Sequence, residues 1–556
     1  MIDPKLLTLA KLLEGRLFRI PQYQRAYSWT SRQRADLFSD LDSVARGGAD
    51  GTHFMATMVV LDRSRVTILA DEYHVVDVVD GQQRLTTLLL LLRAVSRALG
   101  DSRPHRKLAE QIDELLVKGD DVSLLLLQTN HDTSHLFVDY MREGRLPAED
   151  AVPATLADTA LRDGIAECEA YVARSNDPVA LASLLRNRLS FILHTIQEER
   201  TVYTVFEVLN SRGLSVAWID RLKSLLMAIA FEAGGNAQEH IGALHAIWHD
   251  VYRALGVREG MSDEALRFAA VLLTGEKSKG RLMSAAESAD AVRRWCGNSP
   301  AKAIDASRWL VRVISSINKL YDRSVFSALT TISQARFLAV AIDCSEIAAA
   351  NKQSCFAQWE KTVFRVYGLE GKDARTLSGQ LVTIGLDLVN HGVDGKRTRE
   401  RLAELTEQTV TSRIRDCLAG RDVYHGWSRY LRYMLYRYEE HLAREAGEAV
   451  DETTWTRIWA ARADDTIEHV APVSTADADG LTDTGLFVHR LGNLIILPPR
   501  INSSLKARPF AEKRGVYNDA PLRHVREVGA VPRWGKGAAN ERERRMIAWA
   551  EDTWGP

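Results

Sequence analysis

The chain has 556 residues, 46% of them apolar, enough for several cores and two to four domains. Its 72 Lys and Arg nearly balance 73 Asp and Glu, so no overall basic field marks it for nucleic acid, and any such surface is local. Five scattered cysteines, with no C-x-x-C pair and no histidine at zinc spacing, argue against a disulfide framework and a structural zinc, and fit a reducing cytoplasm.

The opening stretch, MIDPKLLTLAKLLEGRLF, alternates charged and apolar residues on a helical period and has no signal-peptide core. The run Leu88 to Leu92 falls far short of the roughly 18 apolar residues a membrane helix needs. The expectation is a cytoplasmic protein with no membrane partner.

Within the first hundred residues, FMATMVVLD and EYHVVDVVD are rich in Val and Met and bounded by Gly and Asp, which predicts strands in an α/β arrangement. The second strand runs into a turn, Asp80-Gly81, then Gln82, Gln83 and a helix beginning near Arg84. A helix N-terminus offers unpaired N–H groups and partial positive charge, and glycine lets a ligand approach the backbone. Gln82, Gln83 and the forked guanidinium of Arg84 add donors for a phosphate, while Asp80 suits a magnesium ion or a ribose hydroxyl. The same residues also suit a tight turn that merely caps a buried helix, and spacing alone leaves both readings open. In QYQRAYSW, Tyr23, Gln24 and Arg25 read either as part of a buried aromatic anchor or as sensors of a nucleotide or a DNA modification. Asp220 and Lys223 read as an ion pair on a solvated helix face, the favoured reading, or as a phosphate contact.

From about 105 to 445 the pattern is helical, with i, i+3, i+4 spacing as in Leu431, Met434, Leu435 and Tyr438. Arg429, Arg432 and Arg437 interleave with aromatics in Trp427 to Glu445, but the apolar period favours rings packed inside with arginines at the rim. The polar, aperiodic segment Arg444 to Thr454 marks a boundary.

Beyond it, IEHVAP, HRLGNLIIL and INSSLKARPFAEKR predict strand, loop, strand and helix, a ββα outline with polar residues at its joints. Hydrolysis of a phosphodiester needs a base to activate water and a hard divalent ion beside the phosphate. His469 suits the base, Glu468 and Asn502 supply oxygen ligands, and Asn493 supports the loop that aims the histidine. Lys513 is read as neutralising phosphate charge, and His489 as a phosphate contact. Singly each has a duller explanation, such as Asn502 capping its helix.

Three runs, IPQYQRAYSW (20–29), DGQQRLTTL (80–88) and VFEVLNSRGLSVAWIDRLKSLL (205–226), occur in the order that resembles the ParB-like nucleotide-binding domain of GmrSD-type modification-dependent restriction enzymes. The resemblance implies that Asp80, Gly81, Gln82, Gln83 and Arg84 bind and hydrolyse a nucleoside triphosphate, GTP or ATP. It also implies that Tyr23, Gln24, Arg25, Glu207, Asn210 and Arg212 line the same cleft. The C-terminal motifs, over 467–514, resemble an HNH, or His-Me finger, nuclease without the zinc-binding cysteines many such domains carry. That likeness implies metal, magnesium or manganese, at Glu468 and Asn502, with His469 as general base and Asn493 in the catalytic group.

The expected fold class is α+β, predominantly helical: a nucleotide-binding and sensing domain over 1–230, a helical body and connector over 231–445, and an HNH-type nuclease over 446–556. The expected function is a type IV-like restriction endonuclease of phage defence. It would nick or cleave modified double-stranded DNA, bearing phosphorothioate or glucosylated hydroxymethylcytosine, under nucleotide control. Cleavage of both strands by one finger favours a homodimer or sequential nicks. The rival readings are a nucleotide-switched regulatory protein that binds nucleic acid without cutting, and an RNA-directed toxin nuclease.

Overall fold

The structure is a computed structural model that describes residues 4–21, 24–47, 52–118, 125–128, 135–146, 148, 152–196, 217–232, 237–258, 260–473 and 487–555. It is α+β and predominantly helical, with one six-stranded mixed sheet and one two-stranded sheet among the described residues. Two compact units emerge, residues 1–270 with 284–314, and residues 271–283 with 315–556. The units do not follow the expected divisions at 230 and 445. The polar segment at 444–454 lies inside the second unit, whose core takes in Trp455 and Ile458 just beyond it. No described helix is long and apolar enough to cross a membrane.

In the first unit the strands are β1 (Lys5–Thr8), β2 (Arg16–Ile20), β3 (His53–Ile68), β4 (Asp71–Asp80), β5 (Leu126–Gln128) and β6 (Leu189–Ile196), in the spatial order β1-β6-β3-β4-β2-β5. β3 and β4, both expected as strands, pair antiparallel, whereas β4 runs parallel to β2 and β3 parallel to β6. The inward residues of β4, Val76 and Val78, belong to the apolar core of this unit. Directly after β4 the chain enters the helix Gln82–Ala98, in which every leucine from Leu88 to Leu92 is fully buried. Its run of five leucines is apolar on every side, as suits a segment in the middle of a core. Gly81 makes the corner with φ +96°, a left-handed conformation that a side chain would strain.

The second unit is built around the helix Ser428–Glu445. Leu431, Met434, Leu435 and Tyr438, which carry the helical period, are all buried, and so are Tyr433 and Tyr436. Arg432 donates from within to the carbonyls of Ile458 (3.0 Å) and Ala461 (2.9 Å), so this arginine is a structural tie. Against this helix sits a short ββα element: β7 (Ile467–His469) pairs antiparallel with β8 (Leu494–Ile496), and the helix Pro499–Leu505 follows. The second strand is pinned from behind by the helix Lys536–Trp554, whose buried Arg542 donates to the carbonyls of Gly492 (3.1 Å) and Leu494 (2.8 Å).

Candidate functional site

Side chains alternate across a strand, so β7 sends its two polar residues to opposite sides. Glu468 turns into the interior, where its Oε1 accepts from Lys513 Nζ at 2.6 Å and from Tyr517 Oη at 2.9 Å. Lys513 is fully buried and also donates to the carbonyl of His469 at 2.9 Å. Burial pushes the Glu468 carboxyl up, against the pull of Lys513 and Tyr517. Two expectations are thereby corrected. Lys513 lies out of reach of a phosphate, and Glu468 is the internal partner of a cation, because a buried ammonium must be paired.

Asn502 uses its amide nitrogen on the carbonyls of Asp465 (2.9 Å) and Ile467 (3.1 Å), clamping its helix to the start of β7. Glu468 is thus turned inward from the oxygen-ligand set expected with Asn502, whose Oδ1 takes no part in these two bonds. Asn493 is fully buried, and both ends of its amide are engaged. Its Oδ1 accepts from Ala471 N (2.9 Å) and Trp534 Nε1 (3.0 Å), and its Nδ2 donates to the carbonyls of Ala471 (3.1 Å) and Val488 (2.9 Å). Asn493 is thus a positioning residue that ties together the segments carrying His469 and His489, and it is not placed to touch a reacting atom. Its neighbour Gly492 is required by close approach, since a Cβ there would lie 2.0 Å from the carbonyl oxygen of Ala539.

On the other side of β7, His469 Nε2 meets His489 Nδ1 at 3.1 Å. Burial, with nearby His489 and Lys513, holds the His469 imidazole down at about 4, so the ring is neutral at physiological pH. His489, expected as a phosphate contact, is instead part of a cluster with His425 and Asp422, whose ligating atoms lie within 4.8 Å of one another. Tyr424 packs edge-on to His469, with centroids 4.6 Å apart, and stacks on His489 at 5.3 Å. Asp422, Tyr424 and His425 were not among the residues singled out from the sequence. The only signal was the D-x-x-H spacing in RDVYHGW, which lies well before the finger motifs and carries no local mark of its destination.

In the first unit the two leading motifs close on each other. Gln82 Nε2 donates to the carbonyl of Arg25 (2.5 Å), while Gln83 donates to Ala26 (3.0 Å) and accepts from Ser28 N (2.8 Å). Gln24, nearly fully buried, donates to the carbonyl of Val79 at 2.7 Å. These glutamines hold QRAYSW against the Gly81 turn; Gln83, with both ends of its amide on backbone partners, is not presented to a ligand as expected, whereas the buried Gln82 Oε1 makes no hydrogen bond. Arg84, Asp80 and Arg25 are half-buried, with the Asp80 carboxylate acting on both guanidinium groups. The Arg84 guanidinium lies 5.8 Å from the Trp29 ring centroid, and Arg25 is lowered by burial, opposed by the charges of Asp220 and Asp80. Arg25, Tyr27, Trp29, Asp220, Lys223 and Tyr252 line a cavity of about 460 Å³. Lys223 is buried, not solvated as expected, and Asp220 accepts from Tyr252 Oη at 2.6 Å. Tyr23, Glu207, Asn210 and Arg212 lie outside the described residues.

Residues 9–227 match the family model of the GmrSD restriction endonuclease N-terminal domain, and residues 408–549 match that of the GmrSD restriction endonuclease C-terminal domain. The first match covers every strand of the larger sheet but β1, together with the Gly81 turn and the QRAYSW segment. The second covers Asp422, His425 and the whole ββα element. No curated protein matches the chain.

Proposed function

The chain belongs to the GmrSD restriction endonuclease family, and from that premise we propose a modification-dependent, type IV-like enzyme of phage defence. Its C-terminal unit hydrolyses DNA phosphodiesters as a His-Me finger, and its N-terminal unit governs when it does so. The observation that carries this reading is His469, a neutral imidazole at the end of β7 on a loop fixed by Asn493. In the reaction, water forms the new bond to phosphorus, the bond from phosphorus to the leaving sugar oxygen breaks, and His469 takes up the proton that water loses. The reading includes a divalent ion, magnesium or manganese, which would neutralise charge on the phosphate.

A nucleoside triphosphate, GTP or ATP, is the proposed regulator. Support comes from the N-terminus of the long helix behind Gly81, with Arg84 and Arg25 beside it. The proposed mark on duplex DNA is a phosphorothioate or glucosylated hydroxymethylcytosine. The test is cleavage of phosphorothioate, glucosylated and plain DNA with a divalent metal, with and without GTP or ATP, against His469→Ala. Cutting that depends on His469 and varies with the modification is expected. No cutting of any DNA would overturn the assignment, and degradation of RNA in its place would redirect it to a toxin nuclease.

A further inference from the structure

The loop before the helix Ser428–Glu445 is folded against the segment that precedes β8. Val423 N donates to the carbonyl of His489 at 3.1 Å, which fastens the two. Within the loop, Asp422 Oδ1 accepts from the backbone of Tyr424 (2.9 Å) and His425 (3.0 Å), and its Oδ2 meets His425 Nδ1 at 2.8 Å. The rings of His425 and His489 are 4.6 Å apart. Three ligating atoms from two distant segments therefore converge on one point, held by backbone contacts that do not depend on an ion. The His425 side chain is 66% exposed, so the point is open to solvent.

We infer that Asp422, His425 and His489 form a site for a divalent transition-metal ion, of the manganese, cobalt, nickel or zinc class, beside His469. Two imidazoles and one carboxylate are a borderline donor set that favours these ions over magnesium, which prefers oxygen ligands and keeps its waters. A three-residue set also leaves coordination positions for water and a phosphate oxygen. The inference fits the placement of Glu468, which is engaged by Lys513 and Tyr517. The ion's part in cleavage rests on the nuclease reading, whereas its binding does not.

The test uses the full chain, stripped of metal with a chelator and titrated with cobalt(II) or zinc alone, without DNA. One equivalent of cobalt with a visible ligand-field band is expected. His425→Ala and Asp422→Asn should each weaken binding by more than roughly 100-fold, the upper range for losing a residue that only supports a ligand. Asn502→Ala should bind as the unaltered protein does. Because His425 is exposed, its removal leaves the core intact, and an unchanged thermal melt checks this. Failure of the unaltered protein to take up one equivalent, or equal uptake by His425→Ala, would overturn the site. Cobalt that is bound by the unaltered protein and lost from His425→Ala supports the site even if no DNA is cut, a result that removes the nuclease reading alone.

Discussion

Lys513 Nζ lies 2.6 Å from Glu468 Oε1, with both side chains withdrawn from solvent behind the strand that carries His469. Removing one partner of a buried ion pair strands the other charge, so Lys513→Met should lower stability by about 3–5 kcal/mol. Combining it with Glu468→Gln should recover part of that loss, because no lone charge then remains. Chemical denaturation of the single and double variants measures both effects. A lysine that served DNA phosphates would behave otherwise, leaving the melt unchanged and weakening DNA binding in a salt-dependent way.

His469→Ala should reduce DNA cleavage by about 10²- to 10⁴-fold, the range for loss of a general base, while the melting midpoint stays where it was. Single-turnover cleavage paired with a thermal melt decides the point. A fully active variant would remove His469 from the chemistry.

Glu439, on the central helix, accepts from the backbone of Arg523 (2.7 Å) and His524 (2.9 Å) and from His524 Nδ1 (2.7 Å). Ile496 N donates to His524 Nε2 at 3.2 Å, so the ring accepts on that side and donates to the carboxylate on the other. This relay anchors β8 to the helix. Although burial opposes it, bonding to His524 holds the Glu439 carboxyl below its usual value. An acid with a depressed folded value stabilises the protein above its unfolded value and loses that contribution as pH falls through the folded one. Glu439→Gln should therefore lose roughly 1.5–3 kcal/mol at neutral pH, as expected for hydrogen bonds to a charged group. The gap to the unaltered protein should narrow below the ordinary glutamate range, which denaturation at a series of pH values would show.

In the N-terminal unit the turn residues should separate into two classes. Gln83→Ala removes the partner of the half-buried Ala26 carbonyl and of the Ser28 N–H, at about 0.5–1.5 kcal/mol for each lost bond, and should show first as lost stability. Arg84→Ala should instead impair triphosphate turnover with the fold and the metal-dependent chemistry intact. Equal hydrolysis by Arg84→Ala and the unaltered protein would remove the nucleotide account of this turn.

Gly492→Ala should be among the most damaging small changes in the chain. The added carbon would meet the backbone of Ala539, which no rotamer change can move aside. Recovery of little folded protein, judged by soluble yield and the melt, is the expected result.

Local pattern determined a good deal of this protein. The strand-turn-helix at Gly81, the period of Leu431, Met434, Leu435 and Tyr438, and the ββα order around His469 and Asn493 all rest on interactions within a few residues, which composition and spacing record. Tertiary structure alone decided which polar groups face inward. Glu468 and His469 are neighbours on a three-residue strand, too short for its sequence to say which side is buried, and the answer came from Lys513 arriving on a later helix. The same holds for Gln82 and Gln83, whose amides read equally well as ligand donors until QRAYSW is laid against them. The meeting of Asp422 and His425 with His489 is a contact between segments remote in the chain. It was fixed by where the central helix packs, so the D-x-x-H spacing of the first segment says nothing of the histidine it meets.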